Sequence, residues 1–126
     1  MKIELVCTGS ELLSGKLNTN AAYIGSRLSS IGMELSLVTD VSDRKADLAE
    51  VFKNAFERSG VIIVTGGLGP TFDDITVETA AECLNLGLYT DEKILDSIKS
   101  YFSKRAAGEM PQTNARQARV ITGAKI

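Results

Sequence analysis

The chain has 126 residues, of which 44% are hydrophobic and 24% are charged, and its formal net charge is −2 at pH 7. This length suits one domain with a real core, and a mildly acidic chain has no general electrostatic attraction for nucleic acid or anionic membranes. The absence of histidine excludes His-based triads and His-ligated zinc. No signal-peptide pattern and no run of ~20 apolar residues occurs, so we expect a cytoplasmic protein without a membrane partner.

The first half of the chain alternates strand and helix patterns. Short apolar or alternating runs predict strands over residues 3–7, 35–39 and 61–65. The third run is continuously apolar, as a parallel strand buried on both faces would be. Between the strands, apolar residues at helical spacing predict a helix from Thr19 to about Gly32 and a second one after Asp43, a candidate N-cap.

The second half begins with a helix from Thr76, another candidate cap, to about Leu84. After a short return over residues 86–90, Asp91 is a candidate cap for a helix that reaches about Ala107. Residues 108–114 are expected to be loop, and "ARVIT" is either a fourth strand or the end of a helix. The order of elements predicts a three-layer α/β/α fold with a mostly parallel sheet.

A glycine-rich turn and a pair of acids follow the third predicted strand. Gly66, Gly67 and Gly69 permit positive φ and close approach of a ligand to the backbone, and the unpaired N–H groups of a following helix suit phosphate. Asp73 and Asp74 would repel an anion unless a divalent cation bridges carboxylate and phosphate, as Mg²⁺ commonly does. Spacing alone leaves an ordinary tight turn equally open.

The other predicted strand ends carry further polar side chains. Glu78 lies four residues after Asp74 on the same helical face, where a solvated surface residue is the simpler interpretation. Ser10 and Glu11 follow the first strand, and the three polar residues 18–20, which include Asn20, exceed what one helix cap requires. Because ligands bind outside the carboxyl ends of parallel strands, we expect these loops to share one ligand.

Two segments resemble a known family. "TGSELLSGKLNTNAAYIGSRLSSIG" followed by "TGGLGPTFDDITVETAA" is similar to the N-terminal domain of CinA-type proteins, within the wider molybdopterin-binding family that includes MoaB, Mog and a domain of MoeA. The similarity runs from the first strand to about Leu84 and continues more weakly through "PQTNARQARVITGA". It implies one such domain over residues 1–126, and the absence of a "GTAPG"-like loop before Ile126 implies that its C-terminal elements are missing.

The resemblance implies roles for individual residues. Asp74 and Asp43 match the catalytic acids of the family, and Ser10 stands where CinA proteins usually have Asp. Together, the residue pattern at the strand ends and the resemblance predict two sets of site residues, one of metal ligands and one of ligand- or phosphate-binding residues. The metal set is Asp43, Asp73, Asp74 and Glu78, and the ligand set is Gly66, Gly67, Gly69, Thr71, Ser10, Glu11 and Asn20.

Three functions stay open at this point. The first is metal-dependent hydrolysis of ADP-ribose, which the resemblance to CinA implies, with Mg²⁺ or a similar cation. The second is molybdopterin binding with adenylyl transfer of the Mog kind. Leu68 and Asp73, in the segment of the glycine turn, argue against this function. The third is a non-catalytic module that binds a nucleotide or pterin phosphate. The family also implies a homo-oligomer, either a dimer or a trimer.

Overall fold

The computed structural model describes residues 1–105 and 108–126, which form two compact units, Met1–Gly67 and Leu68–Ile126. In the first unit, three strands alternate with two helices, and a short 3₁₀ helix, Ser10–Ser14, follows the first strand. The elements in chain order are β1 (Ile3–Thr8), α1 (Thr19–Ser29), β2 (Leu37–Val41), α2 (Lys45–Arg58) and β3 (Val61–Thr65).

The three strands form a parallel sheet in the order β2-β1-β3. Cys7 of β1 lies opposite Asp40 of β2 and opposite Thr65 of β3, so the carboxyl ends of all three strands meet at one edge. The prediction of a mostly parallel α/β fold is therefore confirmed. The strand β2 starts two residues later than predicted because its pairing with β1 begins at Leu37.

The core of this unit lies on the central strand. All six residues of β1 are buried, whereas all five of β3 are only half-buried. The expectation that the third strand is buried on both faces was therefore wrong, and the fully buried strand is β1, the central one of the three, whereas β3 lies at an edge of the sheet. The buried face of α2, formed by Leu48, Phe52 and Ala55, completes the core.

One acid is buried in this core. Glu4 of β1 is 1% exposed and accepts a bidentate pair of hydrogen bonds from Arg58, with Nε–Oε1 at 2.7 Å and Nη2–Oε2 at 2.9 Å. Ser59 Oγ donates a further bond of 2.5 Å, and Lys2 Nζ lies 3.3 Å away. The hydrogen bonds from Arg58 lower the pKa of Glu4 to about 2, although burial opposes them. The carboxylate is thus charged and fully partnered.

The described residues of the second unit form two α-helices, a 3₁₀ helix and a small antiparallel pair of strands. Its elements are α3 (Thr76–Cys83), β4 (Leu88–Thr90), α4 (Glu92–Arg105), a 3₁₀ helix (Gln112–Ala118) and β5 (Arg119–Ile121). The strands β4 and β5 pair antiparallel with Leu88 opposite Ile121, so the last apolar segment is a strand, one of the two structures predicted for it. None of the helices in the described ranges has the length and apolar character of a membrane span.

The structure of this unit confirms one predicted helix cap and corrects another, and it also corrects one predicted loop. The Ile94 N–H donates to Asp91 Oδ1 at 2.9 Å, which confirms Asp91 as the residue that caps α4. Thr76 is the first residue of α3 rather than its cap, a position taken by Ile75 without a side-chain bond. Part of the predicted loop 108–114 belongs to the second 3₁₀ helix, which has no 3.6-residue apolar pattern. The predicted end of α4 at Ala107 lies outside the described residues.

Candidate functional site

Two predicted site residues of the first unit bind each other at the sheet edge. The Ser10 N–H donates to Asp43 Oδ2 at 2.8 Å, and the Asp43 N–H donates back to Ser10 Oγ at 3.2 Å. Asp43 was therefore wrongly predicted as the N-cap of α2, a position held by Arg44 without a side-chain cap bond. Its carboxylate instead fixes the loop after β1 against the loop after β2, which are 33 residues apart in the sequence.

A polar pocket of about 260 Å³ opens beside the ends of β1 and β3. Thr8, Thr65 and Gly66 line its strand side. The segment after β1 and the first turn of α1 supply the remaining walls, which include the predicted ligand residues Glu11 and Asn20. A loose ion pair joins Glu11 Oε1 to Lys16 Nζ at 3.8 Å, and the pocket wall therefore carries both a negatively and a positively charged side chain. The structure thus brings Glu11, Asn20 and Gly66 together at the strand ends.

Only glycine fits the first position of the turn after β3. Gly66 has a φ of 86° and Gly67 a φ of 62°, values that other residues rarely adopt. A Cβ at Gly66 would overlap the backbone carbonyl of Thr8 and lie 2.8 Å from the Thr8 hydroxyl. Because Gly66 has no side chain, the chain can turn sharply at the pocket wall, close to the end of β1.

Asn18 accounts for one of the three polar residues before α1. Its Oδ1 accepts the Ala21 N–H at 2.9 Å as the N-cap, and its Nδ2 donates to Asp40 Oδ1 at 2.5 Å. Thr19 and Asn20 are therefore not needed as caps, and both line the pocket. The sequence did not point to Asp40, because its partner lies 22 residues away.

In the second unit, the carboxylate of Asp74 is held by Thr71. Both the Thr71 N–H and the Thr71 hydroxyl donate to Asp74 Oδ2, at 2.9 Å and 2.7 Å. A Cβ at Gly69 would lie 2.6 Å from the same oxygen, so the absence of a side chain at Gly69 makes room for the carboxylate. The Thr71 hydroxyl, with smaller contributions from backbone N–H groups and Arg116, lowers the pKa of Asp74 and keeps it ionised.

Glu78 is paired with two arginines. Its Oε1 accepts hydrogen bonds from Arg116 Nη2 and from Arg119 Nη1, both at 3.0 Å. Burial would raise the pKa of Glu78, but the bond and charge of Arg116, together with Arg119, outweigh burial and lower it. A cation at Glu78 would have to compete with two guanidinium groups. Sequence reasoning missed both arginines, whose only signal is the weakly similar segment "NARQARV".

The acids do not form a ready metal cage. Within residues 1–105 and 108–126, no group of three or more Asp, Glu, Cys or His side chains could hold a metal ion. Asp73 is exposed beside Asp74, and the neighbouring Phe72 is 83% exposed. Asp43 belongs to the first unit and Asp74 to the second, and their use of one common ligand stays a prediction. Carboxylate oxygens of this kind suit Mg²⁺ when substrate phosphates complete the coordination.

The comparisons with known proteins agree on one family. The family described as "Probable molybdopterin binding domain" matches residues 4–125. The CinA-like protein of Endomicrobium trichonymphae is 70% identical over the whole chain, which spans 30% of that relative's length. The crystal structure of CinA from Thermoplasma acidophilum, a protein whose function is given as unknown, has a TM-score of 0.87 and 32% identity, with 98% of this chain and 72% of that one covered.

A more distant structure shares the fold. The molybdopterin biosynthesis protein Mog of Mycobacterium ulcerans has a TM-score of 0.60 at 20% identity, covering 80% of this chain and 65% of that one. An identity this low shows a common fold and nothing about a common substrate.

Proposed function

The chain belongs to the molybdopterin-binding domain family, as a member of CinA type, and on that premise we propose that it hydrolyses the phosphoanhydride of ADP-ribose with a divalent cation. Water would add across the phosphorus–oxygen–phosphorus bridge, and AMP and ribose 5-phosphate would leave as products. The chain spans 30% of its curated relative, so this proposal concerns the domain and not the whole of such a protein.

The single observation that carries the proposal is the state of Asp74. An ionised carboxylate is held by two hydrogen bonds from Thr71, just before the N-terminus of α3. A fixed anionic oxygen of this kind can orient a water molecule or bind a cation, and neither task tolerates a mobile side chain. Because its pKa is lowered, Asp74 is a weak base and is better suited to binding a cation or orienting water.

The polar pocket of the first unit supports a nucleotide or another polar phosphate as ligand. Ligands of open parallel sheets bind at the carboxyl ends of the strands, where this pocket lies. Asn20 and Lys16 offer hydrogen-bond donors to phosphate or ribose oxygens. Asp43 and Ser10 act on the same edge by holding two loops in place, which gives Asp43 a task whether or not it also binds a metal.

A divalent cation fits the acids of the second unit only with help from the substrate. Asp74 and the exposed Asp73 would supply oxygen ligands, and phosphate oxygens and water would complete the shell, as is usual for Mg²⁺. The bound cation would neutralise charge that develops on the phosphoryl oxygens. Glu78 is the least suited of the four predicted metal ligands because its carboxylate already binds Arg116 and Arg119.

The proposal is tested by assaying ADP-ribose hydrolysis with Mg²⁺ in the wild type and in Asp74→Asn. We expect the substitution to abolish turnover while circular dichroism shows an unchanged fold, because Asn keeps the shape of Asp and loses its charge. The matched control is Asp96→Asn, the same change at an exposed position of α4, which should leave turnover at the wild-type level. Equal activity of Asp74→Asn and the wild type would refute the role.

Adenylyl transfer to molybdopterin is the second candidate, favoured by the family's own description. Leu68 and Asp73, in the segment of the glycine turn, argue against this function, because the resemblance implies that Mog-like members have other residues at these two positions. ATP-dependent adenylylation of molybdopterin without cleavage of ADP-ribose would establish it. Calorimetry that shows nucleotide binding without product formation by this chain would instead point to a non-catalytic module.

A further inference from the structure

Arg116 reaches across the second unit to the segment that carries Asp74. Its Nη1 donates to the Thr71 carbonyl at 2.5 Å, and its Nη2 donates to the Asp74 carbonyl at 3.1 Å and to Glu78 Oε1 at 3.0 Å. We propose that Arg116 is the positioning residue of the Asp74 carboxylate, acting through the backbone of the turn over residues 71–74. The inference rests on the proposed function only in taking Asp74 as the catalytic carboxylate.

The contacts of Arg116 fix both ends of this turn. The turn has one backbone hydrogen bond of its own, from the Asp74 N–H to the Thr71 carbonyl at 3.2 Å. The guanidinium binds that same carbonyl and also the carbonyl of Asp74, so it sets the distance between the two residues. Thr71 in turn donates both of its bonds to the Asp74 carboxylate. A displacement of Thr71 would therefore displace the carboxylate.

Glu78 gives the guanidinium its orientation. The side chain of Arg116 is 26% exposed and that of Glu78 is 23% exposed, so water screens this ion pair only in part. One Nη2 atom serves both Glu78 and the Asp74 carbonyl, which ties the turn to the first part of α3. A planar fork with several fixed donors can make these contacts at once, whereas the single ammonium of lysine cannot. The geometry therefore requires arginine and not merely a positive charge.

The test compares Arg116→Ala and Arg116→Lys with Arg27→Ala, which removes an exposed arginine of α1. We expect Arg116→Ala to lower kcat for ADP-ribose by about 100-fold with little change in KM, because a misplaced catalytic group costs rate more than binding. Arg116→Lys should recover only part of this loss, and added guanidinium ion should restore activity to Arg116→Ala. Arg27→Ala should leave both constants unchanged.

A second measurement decides the inference without any turnover. The amide protons of Thr71 and Asp74 are both hydrogen-bonded within the turn, so hydrogen exchange reports directly on its order. In Arg116→Ala we expect both to exchange about tenfold or more faster, with the amides of the buried strand β1 unaffected. If Arg116→Ala does not fold, Arg116→Lys is measured in the same way, with a smaller acceleration expected.

The two measurements separate the two proposals. A wild type that does not cleave ADP-ribose would end the proposed function, while faster exchange in the variants would still establish that Arg116 orders the turn. Unchanged exchange at Thr71 and Asp74 would overturn the inference, whatever the activity. The inference would also be contradicted if KM rose by as large a factor as kcat fell and added guanidinium ion did not restore activity.

Discussion

The buried carboxylate of Glu4 makes a quantitative prediction about acid stability. Glu4 lies on the central strand, 1% exposed, and its charged form is bound by Arg58 and Ser59. Glu4→Gln removes the charge but keeps the size and shape of the side chain, so the variant resembles the protein with a permanently protonated Glu4. The difference in free energy of unfolding between wild type and variant should therefore depend on pH.

The magnitude follows from the pKa. The hydrogen bonds from Arg58 lower the pKa of Glu4 from its ordinary value of 4.5 to about 2, and a lowering of this size corresponds to about 3 kcal/mol of stability at neutral pH. Because the folded pKa is lowered, this stabilisation is present above pH 4.5 and is lost as the pH falls towards 2. We expect Glu4→Gln to be less stable than the wild type by about 3 kcal/mol at pH 7 and by almost nothing near pH 2.

Urea denaturation followed by circular dichroism at several pH values measures this difference, and urea avoids the salt that guanidinium chloride would add. The control is Glu57→Gln, the same substitution at an exposed position next to Arg58 on α2, whose curve should follow that of the wild type. A difference that is small at pH 7, or that persists unchanged in acid, would refute the reasoning.

Four further predictions concern local structure, each measured as a change in free energy of unfolding or in Tm. Gly66→Ala should destabilise by more than about 2 kcal/mol, because its Cβ would meet the Thr8 backbone at a positive φ. Gly25→Ala, within α1 with only an ordinary contact nearby, should stabilise by about 0.5–1 kcal/mol, and a loss there would contradict the account. Asn18→Ala should cost about 1 kcal/mol through loss of the cap, and Asn18→Ser should restore most of it. Asp91→Ala should cost a similar amount at α4, and an unchanged Tm would argue against this cap.

The order of the elements was predictable because it depends on local patterns. Apolar periodicity predicted α2 and α4, and apolar runs predicted β1 and β3, since each signal lies within the element itself. The start of β2 was less certain because alternation extends on both sides of it, and only pairing with β1 selects Leu37. The degree of burial of β3 depends on its neighbours in the sheet, which the run of residues does not contain.

The contacts that shape the candidate site were not predictable in the same way. Asp43 looked like a helix cap because caps are recognised locally, but its partner Ser10 is 33 residues away. Arg116 lies 42 residues from Asp74, in a mostly polar segment without an apolar run or helical spacing. The residues of the glycine turn were identified because their types are unusual, whereas an arginine on a 3₁₀ helix is not. Long-range polar pairs of this kind become visible only when the chain is folded.

The central claim is that Asp74 serves a metal-dependent reaction on a nucleotide. Anomalous diffraction from crystals grown with ADP-ribose and Mn²⁺, a stand-in for Mg²⁺, tests it most directly. We predict a manganese peak within about 2.5 Å of an Asp74 carboxylate oxygen and of a phosphate oxygen of the nucleotide, and no such peak in Asp74→Asn. Bound nucleotide with no cation at Asp74, or a cation that persists in Asp74→Asn, would contradict the account.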